Sequence, residues 1–434
     1  MTTRRSTLRY PVSTLLWISA WIAFASICAA EEEHPRWILV TTPALKDAFE
    51  PLVSLRQKQG YEVQIIVDWA TGDTQDNAAQ AILAKLSTRK QLANETLVLI
   101  GGTHLNEFAK AHVPTPMGVS GRMLDLPTDY PYSLPDKQGF PTLTVGRLPA
   151  RNEVEVAEMV GKIIRTEHTE LAPDAPHLNL IVANPGGKTG IEKQFGEMFL
   201  SKVVEDRLAN LDPQTRVEVL ADIPKSKFYK SENDFGELAT AALTSGGLFH
   251  VYCGHSSAAG LWSQTRFVVT REDFAELKVK QFPGVFMSCG CFTSQIKASA
   301  NVFGEKATKK SDTPSQGFGI AAIRNPNGPS AVIGPYEESY AAFGKFAMDA
   351  LFERAVMDEP ATTIGDYWNS VQRGLLKGKM ETLMFFMFDQ ADGSRGKTTL
   401  AKQRPEHVEM WSLLGDPAMR LPPLPNSKSK SAPK

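Results

Sequence analysis

Apolar and polar positions along this chain alternate with two periods, one of strand type and one of helix type, and their order predicts the architecture. Trp37 to Val40 is an apolar run of strand length. Behind it Ala48, Leu52 and Leu55 recur on one helical face until Gly60 stops the helix, and Tyr61 to Val67 alternates as a second strand. Leu97 to Ile100, running into Gly101 and Gly102, and Thr142 to Val145, ending in Gly146 and Arg147, read as two more strands. A helix from Glu153 to Glu167 follows, with Val154, Val156, Val160, Ile163 and Ile164 giving it an apolar side.

The stretch from Ala172 to Pro176 is rich in proline and acid and reads as a linker. Beyond it the pattern starts again: a strand at Leu178 to Ala183, a Gly186-Gly187 turn, and a helix through Phe195, Phe199 and Val203. Further strands fall at Val217 to Leu220, Leu248 to Tyr252, Gly284 to Ser288 and Ser330 to Ile333. Strands alternating with helices imply an α/β fold with a mostly parallel sheet flanked by helices. The expected division is two fused subdomains, 36–170 and 177–421, with Lys306 to Gln316 as a mobile surface loop and 422–434 as a disordered tail.

Composition narrows the classes. The chain has 434 residues, 42% hydrophobic and 22% charged, enough for a large core. Its formal charge is −1 and no basic block interleaves with aromatics, which disfavours a nucleic-acid partner. Arg4, Arg5 and Arg9 precede an apolar run from Val12 to Ala30 that ends in small residues before three glutamates, the pattern of a signal peptide over 1–30. Cleavage after Ala30 takes the formal charge from −1 to −4 and predicts export, periplasmic or extracellular, with no stable membrane insertion afterwards. An uncleaved anchor is the rival, diluted by Ser13, Thr14, Ser19 and Ser26, and lipidation at Cys28 is disfavoured by the bulky Ile27 before it. Loss of Cys28 leaves Cys253, Cys289 and Cys291, an odd number that leaves a free thiol unless one pairs between chains.

Two strand ends carry the chemistry. Leu248 to Tyr252 leads into Cys253-Gly254-His255-Ser256-Ser257, and Gly284 to Ser288 leads into Cys289-Gly290-Cys291-Phe292-Thr293-Ser294. As parallel neighbours these strands would deliver an imidazole and a thiol to one crevice at their carboxyl ends. A thiolate is the nucleophile in such a pair, and the imidazole favours it and protonates the leaving amine. The amides of Ser256 and Cys291 are the candidate donors to a tetrahedral oxyanion.

Tyr252-x-Gly254-His255-Ser256-Ser257, with Trp262 after it, resembles the histidine motif of the gingipain family of cysteine peptidases, and the strand-then-cysteine segment resembles its nucleophile motif. Trp37 to Val67 with Gly60-Tyr61, Gly146-Arg147-Leu148, and Trp411-x-x-x-Gly415-Asp416-Pro417 are similar to other family segments in the same order. The resemblance implies a caspase-like α/β fold, an endopeptidase acting on protein or peptide substrates, no required cofactor, and calcium as a surface ligand in some members. No EF-hand-like loop is present to hold it. It also favours Cys291, preceded by Gly290, as nucleophile, with Cys289 as the alternative. Glu192 comes near the family's acidic P1 determinant, implying a basic P1 residue, and Tyr340 comes near an aromatic that walls the same pocket. Two departures stand out: Ser256 replaces the usual glycine, and Asn184 to Gly187 lacks the acid that assists the histidine in the best-known members.

Other readings are blander. Cys253 suits a buried small hydrophobe. Asp125, Asp129 and Glu192 are by default solvated acids, and Asp416 in its Gly-Asp-Pro turn suits a structural cap. Cys253, His255, Cys289 and Cys291 form a Cys3His zinc set by ligand type, although one-residue spacings argue against it. A catalytically inactive, peptide-binding relative is the remaining alternative.

Overall fold

The computed structural model describes residues 34–69, 75–87, 96–104, 108–118, 127–186, 204, 205, 208, 209, 211, 215–224, 226–296, 316–355 and 362–422. The proposed signal peptide, most of the 306–316 loop, the helix expected through Phe195, and the tail from 423 lie outside them, as do Asp125 and Glu192.

The first strands are β1 (Arg36–Thr41), β2 (Glu62–Ile66), β3 (Thr96–Gly101) and β4 (Leu143–Leu148). After them come β5 (Leu178–Val182), β6 (Val217–Ala221) and β7 (Gly247–Cys253). A small separate sheet holds β8 (Ser256–Ser257), β9 (Gly260–Ser263) and β10 (Arg266–Thr270). The main sheet is completed by β11 (Pro283–Ser288), β12 (Ala331–Pro335) and β13 (Trp411–Leu414). Its order is β2-β1-β3-β4-β13-β12-β11-β7-β5-β6. Neighbours run parallel except β12 and β13, which are antiparallel. The last strand in sequence therefore sits in the middle of the sheet and reverses its direction. As a result the carboxyl ends of β5, β7, β11 and β12 share one edge.

Helices cover both faces. They are α1 (Glu50–Lys58), α2 (Gln75–Ser87), α3 (Glu153–His168), α4 (Glu232–Ser245) and α5 (Arg271–Glu276), followed by α6 (Phe318–Arg324), α7 (Ala341–Ala355), α8 (Ile364–Lys377), α9 (Thr382–Asp392) and α10 (Leu400–Met410). In β1, Trp37 and Leu39 join one core, while Ile38 and Val40 join a second with Ile82 and Leu86 of α2. Burial of both faces explains why the central strands read as continuous apolar runs. Local signals set helix ends: Asn152 caps α3 by accepting from the Glu155 amide at 3.0 Å, and Thr363 with Asp366 forms a capping box on α8. Gly60, at φ +89°, follows the end of α1 as expected.

Two expectations change. Gly146 and Arg147 do not end a strand but lie inside β4. A Cβ on Gly146 would stand 2.3 Å from the Gly415 carbonyl oxygen, so glycine here permits the close approach of the turn after β13. Asp129 is not solvated: it is 7% exposed, and its carboxylate takes the Arg147 Nε at 2.6 Å and Nη2 at 2.5 Å. An arginine projecting from an interior strand needs a buried counter-charge, and Asp129 supplies it. Asp416 is structural, as its turn suggested, but through side chains as well as backbone. It accepts from the Trp37 indole at 2.9 Å, from Arg56 Nη2 at 2.6 Å and from the Ala418 amide at 3.0 Å. Arg56 also reaches Glu167 at the end of α3 at 2.7 Å.

Candidate active site

β7 and β11 pair in parallel with Met287 opposite Val251 and Ser288 opposite Tyr252, so their carboxyl ends lie side by side. The turn after each carries the residues of interest. The Ser256 hydroxyl donates to the Cys291 carbonyl at 2.6 Å, tying the histidine turn to the cysteine turn. The departure at Ser256 thus has a local purpose that glycine could not serve. Gly290 makes the closure possible, since a Cβ there would fall 2.1 Å from the Ser256 Oγ and 3.0 Å from the Gly254 carbonyl.

The backbone of His255 is held on its carbonyl. The Trp262 amide donates to it at 2.9 Å, and the Tyr252 hydroxyl lies 2.6 Å from it and 2.5 Å from the Trp262 carbonyl. Burial pushes the Tyr252 phenol well above its ordinary value, so it remains a neutral donor. The His255 side chain itself is 41% exposed, and its Nδ1 stands 3.9 Å from Asp392 Oδ2 at the end of α9. Nothing local in the sequence marked Asp392, because its partner lies on another element far along the chain.

The three thiols divide in direction. Cys289 Sγ lies 3.3 Å from the Gly344 carbonyl, and Cys253 Sγ lies 3.7 Å from Met348 Sδ, one turn further along the same helix α7. The hydrogen bond with Cys253, together with burial, pushes the Cys289 thiol well above its ordinary value. Cys291 Sγ instead lies 3.5 Å from the Ser339 carbonyl, in the segment leading to α7. Phe292, immediately after it, adopts φ +56° and donates its amide to the Glu337 carbonyl at 3.0 Å. A bulky residue in that region is strained, and the strain is held by packing beside the half-buried thiol.

The 336–340 segment lies against the cysteine turn. Trp411 Nε1 donates to Ser339 Oγ at 3.2 Å, and the Tyr340 amide donates to His407 Nε2 at 3.1 Å. His407 Nδ1 must then carry the proton it gives to the Gln403 carbonyl at 2.8 Å. Tyr340 and Glu338 line a cavity of about 540 Å³ with Asp392, Ser394, Arg395 and Glu406. Ser256 stands in the β8 ladder opposite Leu261. Glu192 lies outside the described residues, so the pocket is drawn without it.

Cys253, His255, Cys289 and Cys291 do not converge, because two of the sulfurs face α7 and the third faces Ser339. Among the described residues no group of three or more His, Cys, Asp or Glu is arranged to hold a metal ion. No helix among them is long and apolar enough to cross a membrane.

The fold has counterparts among known proteins. Residues 30–422 match the model of peptidase family C25. The Arg-specific cysteine proteinase gingipain R shares the fold at a TM-score of 0.60 with 16% identity, over 91% of this chain and 80% of its own. A complex of the pro- and mature domains of RgpB from Porphyromonas gingivalis gives 0.61 and 16%, over 90% and 80%. A structure described only as a protease gives 0.61 and 16%, over 89% and 78%. No curated protein matches the sequence. The caspase-like α/β fold expected from the motifs is the one observed.

Proposed function

This chain belongs to peptidase family C25, the cysteine peptidases that include the gingipains, and from that premise we propose that it is an exported endopeptidase working through Cys291 and His255. The observation that carries the reading is the 2.6 Å bond from Ser256 to the Cys291 carbonyl, which locks the two reactive turns together at one sheet edge. The inward placement of Cys289, with its raised thiol pKa, supports Cys291 as the nucleophile.

In the proposed reaction the Cys291 thiolate attacks the scissile carbonyl and forms a carbon–sulfur bond. Amides at Ser256 and Cys291 would stabilise the oxyanion. The carbon–nitrogen bond breaks as the His255 imidazolium gives its proton to the departing amine, leaving a thioester. Water then loses a proton to His255 and attacks the thioester, which releases the acid and restores the thiolate.

A basic P1 residue is the proposed preference. The cavity beside Tyr340, lined by Glu338 and Glu406 together with Arg395 and Lys397, has a volume of about 540 Å³ that accommodates a long side chain. The name of gingipain R points the same way. Reaction with an irreversible peptidyl thiol inhibitor, read by mass spectrometry across a panel of P1 residues, tests the whole reading. Modification of Cys291, fastest with arginine or lysine at P1, is expected. Modification of Cys289 reverses the nucleophile, apolar preference removes the pocket assignment, and binding without modification leaves a peptide-binding relative.

A further inference from the structure

We propose that Asp392, at the end of α9, is the positioning carboxylate for His255. This rests on the reading of His255 and Cys291 as the reacting pair. Its direct support is the 3.9 Å separation of Asp392 Oδ2 from His255 Nδ1, with the two side chains 42% and 41% exposed. That distance is longer than a hydrogen bond but short enough for the charges to interact, and a small side-chain movement closes it.

The independent support is the way the end of α9 is held. Asp389, one turn before Asp392, is buried and accepts from the Ser394 amide at 2.7 Å, the Gly396 amide at 2.7 Å and the Gln403 side chain at 3.1 Å. Burial opposes its charge, but these bonds, with one from the Ser394 hydroxyl at 3.1 Å, hold it below the usual carboxylate range. The Thr398 amide donates to Ser394 Oγ at 3.1 Å, closing the loop on itself. Such a loop presents Asp392 from a fixed support, as a group that must orient an imidazole requires. A carboxylate at Nδ1 fixes the proton there, leaves Nε2 to the thiol, and stabilises the imidazolium.

Other charges line the cavity beside Asp392: Glu338 before α7, Arg395 and Lys397 in the loop, and Glu406 on α10. They are unchanged in an Asp392 variant, so a change in profile reports the one carboxylate.

The test is the rate of Cys291 alkylation by iodoacetamide against pH, read by mass spectrometry, with turnover of the best peptide amide from the P1 panel. In Asp392→Asn the pH profile of Cys291 alkylation is displaced from that of wild type, since a charge 3.9 Å from the imidazole is removed. Turnover falls on the order of tenfold in kcat with KM nearly constant, and Asp392→Glu recovers most of it. A reactive wild type with an unchanged Asp392→Asn profile overturns the role of Asp392 alone. A Glu variant as impaired as the Asn variant makes the residue a packing element and overturns it too. Wild-type Cys291 that alkylates no faster than glutathione removes both this inference and the peptidase reading.

Discussion

The seam where β1 and α1 meet the turn after β13 and the edge where β7 and β11 end use the same local vocabulary, a glycine beside a charged or reactive residue at a strand terminus. At the seam, Gly146 admits the Gly415 carbonyl, and Asp416 is fully buried between Trp37 and Arg56. At the edge, Gly290 admits Ser256, but His255 stays 41% exposed beside an open cavity. Close backbone approach is common to both. Cover distinguishes them: a dry charge must be permanently paired and becomes a clamp, whereas a half-exposed group keeps the freedom to exchange protons.

The largest expected effect lies at the edge. Cys291→Ala should lower turnover by about a thousandfold or more, while Cys289→Ala, which removes a thiol tucked under α7, should retain most of it. A peptide-cleavage assay with the opposite ranking would show that the two turns deliver a different sulfur to the cleft. Next comes the seam. Asp416→Ala leaves Arg56 with Glu167 as its remaining acid and strands the Trp37 indole, and should cost about 3 kcal/mol in urea unfolding. Alkylation of Cys291 in the folded fraction should be unaffected. A loss under about 1 kcal/mol would mean that the clamp is weaker than its burial implies.

A smaller effect sharpens the rule that buried charge needs an opposite partner. Lys162 of α3 is 1% exposed and donates to the carbonyls of Ile323 and Asn325, each at 2.7 Å. Burial pushes its amine from 10.5 down to about 7. The unfolded chain therefore keeps the proton where the folded one releases it, and stability rises as pH goes up between those two values. Relative to Lys162→Met, wild type should gain about 2 kcal/mol between pH 7 and 9. Parallel denaturation curves across that range would show that the carbonyls keep the ammonium charged.

Much of this was readable locally. The strands β1, β3, β5, β7 and β11 are apolar runs that burial on two faces requires, and Gly60 and Asn152 stand where helices stop and start. The histidine and cysteine turns were legible for the same reason, since small residues at the end of a buried strand are a short-range pattern. Strand β13 was not, because four residues of Trp-Ser-Leu-Leu have no period long enough to declare a strand. The burial of Asp129 was equally hidden, being decided by an arginine on a different element.

By itself, then, the sequence determined the period of each element, the places where backbones approach closely, and the pairing of an imidazole turn with a thiol turn in family order. Tertiary structure alone decided what each sulfur lies against, which acid stands beside His255, and which carboxylates are clamps. The physical reason is range. Periodicity and turn chemistry act within a few residues, whereas burial, direction and charge pairing are properties of elements that meet only when the sheet is assembled.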